Sequence, residues 1–127
     1  MAQHNQLGKQ GEDAAVEFLQ ARGHRILARN YRFGRAEIDI VSTENNMVIF
    51  TEVKTRSTEY FGYPEEAVDK KKRTAMRKAA EEFMYQNKSD SPVRFDIISV
   101  LNQNNKLEIF HIPDAFINEG DWAGLSE

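Results

Sequence analysis

Residues 36–56, AEIDIVSTENNMVIFTEVKTR, decide the fold. Two runs rich in β-branched and aromatic residues, Ala36–Ser42 (AEIDIVS) and Met47–Thr55 (MVIFTEVKT), flank the polar segment Thr43-Glu44-Asn45-Asn46, and such a pattern reads as a β-hairpin. Asn45-Asn46 suits the two central positions of a type I′ turn, because asparagine tolerates positive φ better than most residues. That turn sets Asp39 opposite Glu52 and Glu37 opposite Lys54. Side chains alternate along a strand, so these four share one face while Ile38, Ile40, Thr51 and Val53 line the other. A register slip of one residue would take Asp39 out of line with Glu52.

Facing carboxylates repel, and within apolar strands each charge is costly to desolvate. A divalent cation compensates both effects: hard oxygen ligands at facing positions suit magnesium or manganese and leave coordination sites for water and a phosphate oxygen. Lys54, two residues along the same face, would offset negative charge developing on a phosphoryl group. The pattern therefore points to phosphodiester hydrolysis by Asp39, Glu52 and Lys54. The competing reading is a Glu37–Lys54 cross-strand ion pair with Asp39 and Glu52 at a wet sheet edge, and spacing alone leaves the two level. A second acid-x-lysine run, Asp69-Lys70-Lys71, falls in a charged helical turn and reads as solvated surface.

Working outward, Gly11, Ala14, Ala15, Phe18 and Leu19 fall at helical spacing, predicting a helix over about 7–22 stopped by Gly23. His24–Arg32 reads as a strand. Pro64 is expected to open a long helix with Met76, Ala79, Ala80, Phe83 and Met84 as its apolar ladder, ending near Asn87. Val93–Leu101 and Lys106–Ile112 form a second strand pair around Asn102–Asn105. Helix, three strands, helix, two strands implies an α/β fold with a mixed central sheet flanked by helices. Residues 1–117 are expected to form one domain, followed by a tail, 118–127, that is either loose or docks a partner.

A chain of 127 residues can bury a core unaided. The absence of cysteine excludes disulfides, thiolate metal sites and cysteine nucleophiles. Met1–Asp13 contains no apolar stretch of signal type and no run approaches a membrane span, so a cytoplasmic location without membrane association is the expectation. The net charge of −3 hides an asymmetry: Arg22–Arg35 holds five arginines and no acid, Ala36–Val53 four acids and no base, and Lys54–Ala80 eight bases and four acids. An acidic patch framed by basic segments suits a metal-dependent enzyme on a polyanion, although ordinary solvated faces would give the same charge order.

At Asp39, a twelve-residue gap and Glu52-Val53-Lys54, the sequence resembles the PD-(D/E)xK nuclease superfamily. More narrowly it resembles the YraN-like family of uncharacterised bacterial proteins, which is similar to archaeal Holliday junction resolvases. The landmarks are Gly8, Gly11-Glu12, Ala15, Asn30-Tyr31-Arg32, Glu37-Ile38-Asp39, Phe50-Thr51-Glu52-Val53-Lys54, Arg56, Gly62, Val68, Lys72 and Arg94-Phe95-Asp96. The resemblance implies a restriction-endonuclease-like core, a magnesium (or manganese) site, and Glu12 joining Asp39 and Glu52 as a metal-orienting acid. On pattern alone Glu12 would be a solvated helix-start acid favoured by the macrodipole. Ala36 and Thr51 depart from the usual glycine and valine but remove no catalytic group.

Lys72 lies four residues before Met76 and so faces inward, either as a phosphate contact or as a lysine snorkelling from the helix margin. Arg56 reads as a phosphate contact from its place in the resemblance. Arg32 and Arg35, with little aromatic platform beyond Tyr31 and Phe33, suit backbone contact or plain solvation. Asp96 reads as a structural hydrogen-bond partner, and His4, His24 and His111 lack metal-ligand spacing. The expectation is a magnesium-dependent endonuclease on DNA, at branched or structured sites. Its rivals are a nucleic-acid-binding module that keeps the site without turnover and a purely structural ion-pair network. Analogy with resolvases implies a homodimer.

Overall fold

The computed structural model describes residues 2–57 and 69–115, with side chains from Gln6 onward. Its elements are α1 (Ala2–Ala21), β1 (Arg25–Phe33), β2 (Ala36–Glu44), β3 (Met47–Arg56), α2 (Lys70–Gln86), β4 (Val93–Gln103) and β5 (Lys106–Ile112). The sheet runs β1-β2-β3-β4-β5. Among the described strands only β3 and β4 pair in parallel, and the crossover that joins them carries α2. Over the described residues this is an α/β fold, a five-stranded mixed sheet flanked by two helices, consistent with a restriction-endonuclease-like core. The tail, 118–127, lies outside the described residues. No helix among the described residues is long and apolar enough to cross a membrane.

Each sheet face buries its own core. Beneath α2, Met76, Ala79, Ala80, Phe83 and Met84 meet Ile38, Val41, Val48, Phe50, Phe95 and Ile97. These include the whole apolar ladder read from the sequence. Beneath α1, Ala15 and Leu19 meet Ile40, Ile98 and Val100. Full burial of each large side chain contributes about 1.5–3 kcal/mol, so the two layers hold the helices firmly on the sheet. One contact sets how closely α1 sits. A Cβ on Gly11 would stand 2.0 Å from Thr55 Oγ1, so glycine alone lets α1 reach β3, and the next residue, Glu12, arrives beside the sheet.

Turn chemistry fixes the register. Asn45 and Asn46 have φ of 54° and 64°, as a type I′ turn requires, and the ladder runs from Glu44↔Met47 to Ile40↔Thr51 in the expected register. Asn104 and Asn105 repeat this device between β4 and β5, with φ of 53° and 62°. Gly23, at φ 95°, ends α1 as expected, and the His24 N–H donates to Leu19 O at 3.0 Å.

Two expectations are corrected. The second helix begins at Lys70, not Pro64: Asp69 is extended and its carboxylate accepts the Lys72 N–H at 2.9 Å, an N-cap that starts the helix there. Pro64 itself lies outside the described residues. Asp69 is therefore a cap rather than idle surface. Secondly, Ile38 and Ile40 do not share a face, since Ile38 packs beneath α2 and Ile40 beneath α1. The alternation breaks at Asp39, which is paired neither with β3 nor, beside Asn30 at φ 54°, with β1.

Asp96 has the structural role expected of it. Fully buried, it accepts both Arg94 Nε and Nη2 at 2.8 Å, approaches His111 Nε2 at 2.7 Å and accepts the Asp114 N–H at 2.9 Å. Burial pushes its pKa up, but these donors outweigh it and hold the carboxyl below its ordinary value.

Candidate active site

The β2–β3 ladder stops at Ile40↔Thr51, one step before Asp39 and Glu52. There the Asp39 side chain takes the place of a ladder bond: its Oδ2 accepts the Val53 N–H at 2.7 Å. β3 meanwhile stays paired with β4 through Glu52↔Ile97, Lys54↔Ser99 and Arg56↔Leu101. A rigid central strand thus presents Glu52 and Lys54 while β2 peels away and offers Asp39 to them.

Glu52 is only 4% exposed, and a charge so placed needs a partner. Lys72 Nζ supplies one at 2.6 Å from Oε2, and Lys54 Nζ stands 3.6 Å from the same oxygen. Burial, reinforced by the charge of Glu52, pushes the Asp39 pKa up to about 7 against the lowering effect of the Val53 N–H. Burial also lowers Lys54, helped by the positive charge of Lys72. For Lys72 burial acts downward too, but its bond to Glu52 more than offsets this and leaves the pKa raised.

Two cavities open onto the group. One, about 750 Å³, lies toward α1 and is lined by Glu12, Arg29, Asn30, Glu37, Asp39 and Lys54 among others. The other, about 470 Å³, lies toward α2 and is lined by Arg35, Glu37, Asp39, Glu52, Lys71 and Lys72 among others. Glu37 and Asp39 line both, so the carboxylates form a wall reached from either side.

The residues named from sequence divide accordingly. Asp39, Glu52, Lys54 and Lys72 come together. Glu12 lines the α1-side cavity but is turned toward β1, where its Oε1 accepts Arg29 Nη2 at 2.8 Å and Asn30 Nδ2 at 3.1 Å. Among the described residues no three His, Cys, Asp or Glu side chains are gathered closely enough to hold a metal ion. Arg35 borders the α2-side cavity. Arg56 ends β3, near enough to Lys54 to depress its pKa. Arg32 is exposed and stands 3.5 Å from Glu37. The cross-strand alternative is not how the charges are shared, since Glu37 pairs with Arg32 and Lys54 with Glu52.

Sequence reasoning missed Arg29, whose Nη2 also donates to Asp13 Oδ1 at 2.7 Å and ties α1 to β1. It also missed that Lys72 reaches Glu52. Neither had a local signal, because each pair is joined only by the fold.

Comparison with known proteins agrees with the YraN-like resemblance. The sequence pattern of the uncharacterised protein family UPF0102 matches residues 11–100. The chain belongs to the UPF0102 family. It is 48% identical over 116 residues to a UPF0102 protein of Bacteroides thetaiotaomicron, covering 91% of this chain and 96% of the relative. A UPF0102 protein of Flavobacterium psychrophilum is 46% identical over 116 residues, covering 91% and 98%. One from Persephonella marina is 44% identical over 110 residues, covering 86% and 91%. The family match spans Glu12, Asp39, Glu52, Lys54 and Lys72.

Proposed function

We propose that this UPF0102 protein is a divalent-metal-dependent endonuclease that hydrolyses phosphodiester bonds in nucleic acid, DNA in the first instance. The observation that carries the reading is the pairing of half-buried Asp39 with buried Glu52 at the point where β2 and β3 part, with the Lys54 ammonium 3.6 Å from Glu52. Burial and the charge of Glu52 raise the pKa of Asp39, a cost that a cation held between the two would relieve, and two hard oxygen donors fit magnesium or manganese. Asp39 and Glu52 would hold the ion, and Glu12 would join on leaving Arg29. The ion, when bound, lowers the pKa of an attacking water and polarises the phosphoryl oxygen. Lys54 offsets charge on the phosphate, while Arg35 and Lys71, lining the α2-side cavity, hold flanking phosphates. Arg56 and Arg32 extend the cationic border along β3 and β1.

The test is incubation with single-stranded, duplex, flap and four-way-junction DNA in magnesium or manganese. Cleavage lost in Glu52→Gln and in Lys54→Ala supports the reading, and cleavage surviving both assigns it to a contaminant.

One observation favours a second reading, a nucleic-acid-binding module without turnover: Glu12 and Glu52 are both engaged by cations of the chain itself. DNA binding with no cleavage under any metal, unchanged in Glu52→Gln, would select it.

A further inference from the structure

We infer that Lys72 is a built-in counter-ion, holding the cation's place on Glu52 in the metal-free protein and swinging away when a divalent ion loads. This rests on the metal reading above and adds a regulation to it. Lys72 Nζ lies 2.6 Å from Glu52 Oε2, a full ångström closer than Lys54. The Glu52 side chain is 6% exposed while that of Lys72 is 36% exposed, so the carboxylate is fixed and the ammonium has room to leave. A magnesium ion on that oxygen at roughly 2.0–2.1 Å would sit against the ammonium with little to screen the repulsion. The two cations therefore compete for one oxygen.

The backbone of Lys72 cannot follow. Asp69 caps its N–H at 2.9 Å, and Met76, one turn on, is 1% exposed in the core beneath α2. Only the four-carbon side chain moves. The space it enters is the α2-side cavity, already bordered by Arg35 and Lys71, where a third cation adds to phosphate binding. Lys72 thus acts as a positioning residue that keeps Glu52 compensated without metal and lowers metal affinity by competition.

Manganese titration of the full chain, followed by the paramagnetic resonance of free Mn²⁺, tests this on four proteins. Lys72→Met should bind manganese at least about fivefold more tightly than wild type, the scale of one lost charge-assisted contact. Lys72→Arg, which keeps the cation, and Lys71→Met, which removes an equal charge from the same cavity but not from Glu52, should stay within about twofold of wild type. Lys72→Gln carries the same expectation as Lys72→Met should the latter fold poorly. Equal or weaker binding by both neutral Lys72 variants, with wild type binding normally, overturns the counter-ion role and leaves the metal reading standing. A gain in Lys71→Met as large as in Lys72→Met also overturns it. Absence of binding in wild type and all variants removes the metal reading and this inference together.

Discussion

Asp39 Oδ2 accepts the Val53 N–H at 2.7 Å, and this bond stands where the β2–β3 ladder would otherwise continue past Ile40↔Thr51. A half-buried carboxylate doing backbone work inside a sheet loses much of the water that would otherwise stabilise its charge. Asp39 thus stands beside the charge of Glu52 without a cation of its own, while Lys72 and Lys54 hold Glu52.

The first consequence concerns pH. Because the folded pKa of Asp39, about 7, lies above its ordinary 3.8, the folded protein keeps a proton that the unfolded chain releases. The stability this contributes is full below about pH 4 and is lost as pH rises through about 7. Asp39→Asn keeps an acceptor for Val53 but cannot ionise. Without metal, the variant should therefore match wild type near pH 4 and exceed it by a few kcal/mol near pH 8. Urea denaturation across that range measures the difference, and curves that stay parallel contradict the account.

Thr51 gives a second. It is fully buried, and its Oγ1 makes no hydrogen bond among the described residues. An orphaned hydroxyl costs about 1–3 kcal/mol, so Thr51→Val, nearly isosteric, should raise stability by roughly 1 kcal/mol. A drop in the denaturation midpoint would show that the hydroxyl has a partner in solution.

Gly11 and Gly8 lie one turn apart on α1 yet should respond oppositely to alanine. Gly8→Ala places its Cβ in open space and should gain about 0.5–1 kcal/mol of helix propensity. Gly11→Ala drives its Cβ against Thr55 Oγ1 and should lose about 1–3 kcal/mol by overpacking. The double variant Gly11→Ala, Thr55→Ala should recover part of that loss in a double-mutant cycle, since the Cβ of residue 55 stays 3.0 Å away.

Asp96 predicts acid sensitivity. Its folded pKa is depressed by His111, Arg94 and the Asp114 N–H against the effect of burial, so its contribution is present above about pH 4 and fades as the pH falls below that. Arg94→Met leaves the buried carboxylate only His111 and the Asp114 N–H and should cost about 3 kcal/mol in urea denaturation at neutral pH. The loss should shrink toward acid pH, where Asp96 takes up a proton.

What could be read in the sequence was whatever local stereochemistry determines. Asn45-Asn46 announced the hairpin and its register because few residues accept two successive positive φ values, and Gly23 ended α1 for the same reason. Met76 to Met84 placed the inner face of α2 by period alone. Pro64 misled about where that helix starts, because proline suits a first turn, while the actual cap, Asp69, was camouflaged by the lysines after it. The facing of Asp39 and Glu52 was inferred from an ideal ladder, yet the ladder breaks there: Asp39 turns in to cap Val53, and the two carboxylates share the lining of the α2-side cavity. The grip of Lys72 on Glu52 and of Arg29 on Glu12 depended on how two helices cross one sheet. No spacing encodes that.

The most direct test of the metal centre is a crystal soaked in manganese, read by anomalous scattering. A peak bridging the Asp39 and Glu52 carboxylates is expected, with Lys72 Nζ displaced from Glu52. A map with no peak between them at saturating manganese, and with the Lys72–Glu52 pair intact, would contradict the metal reading.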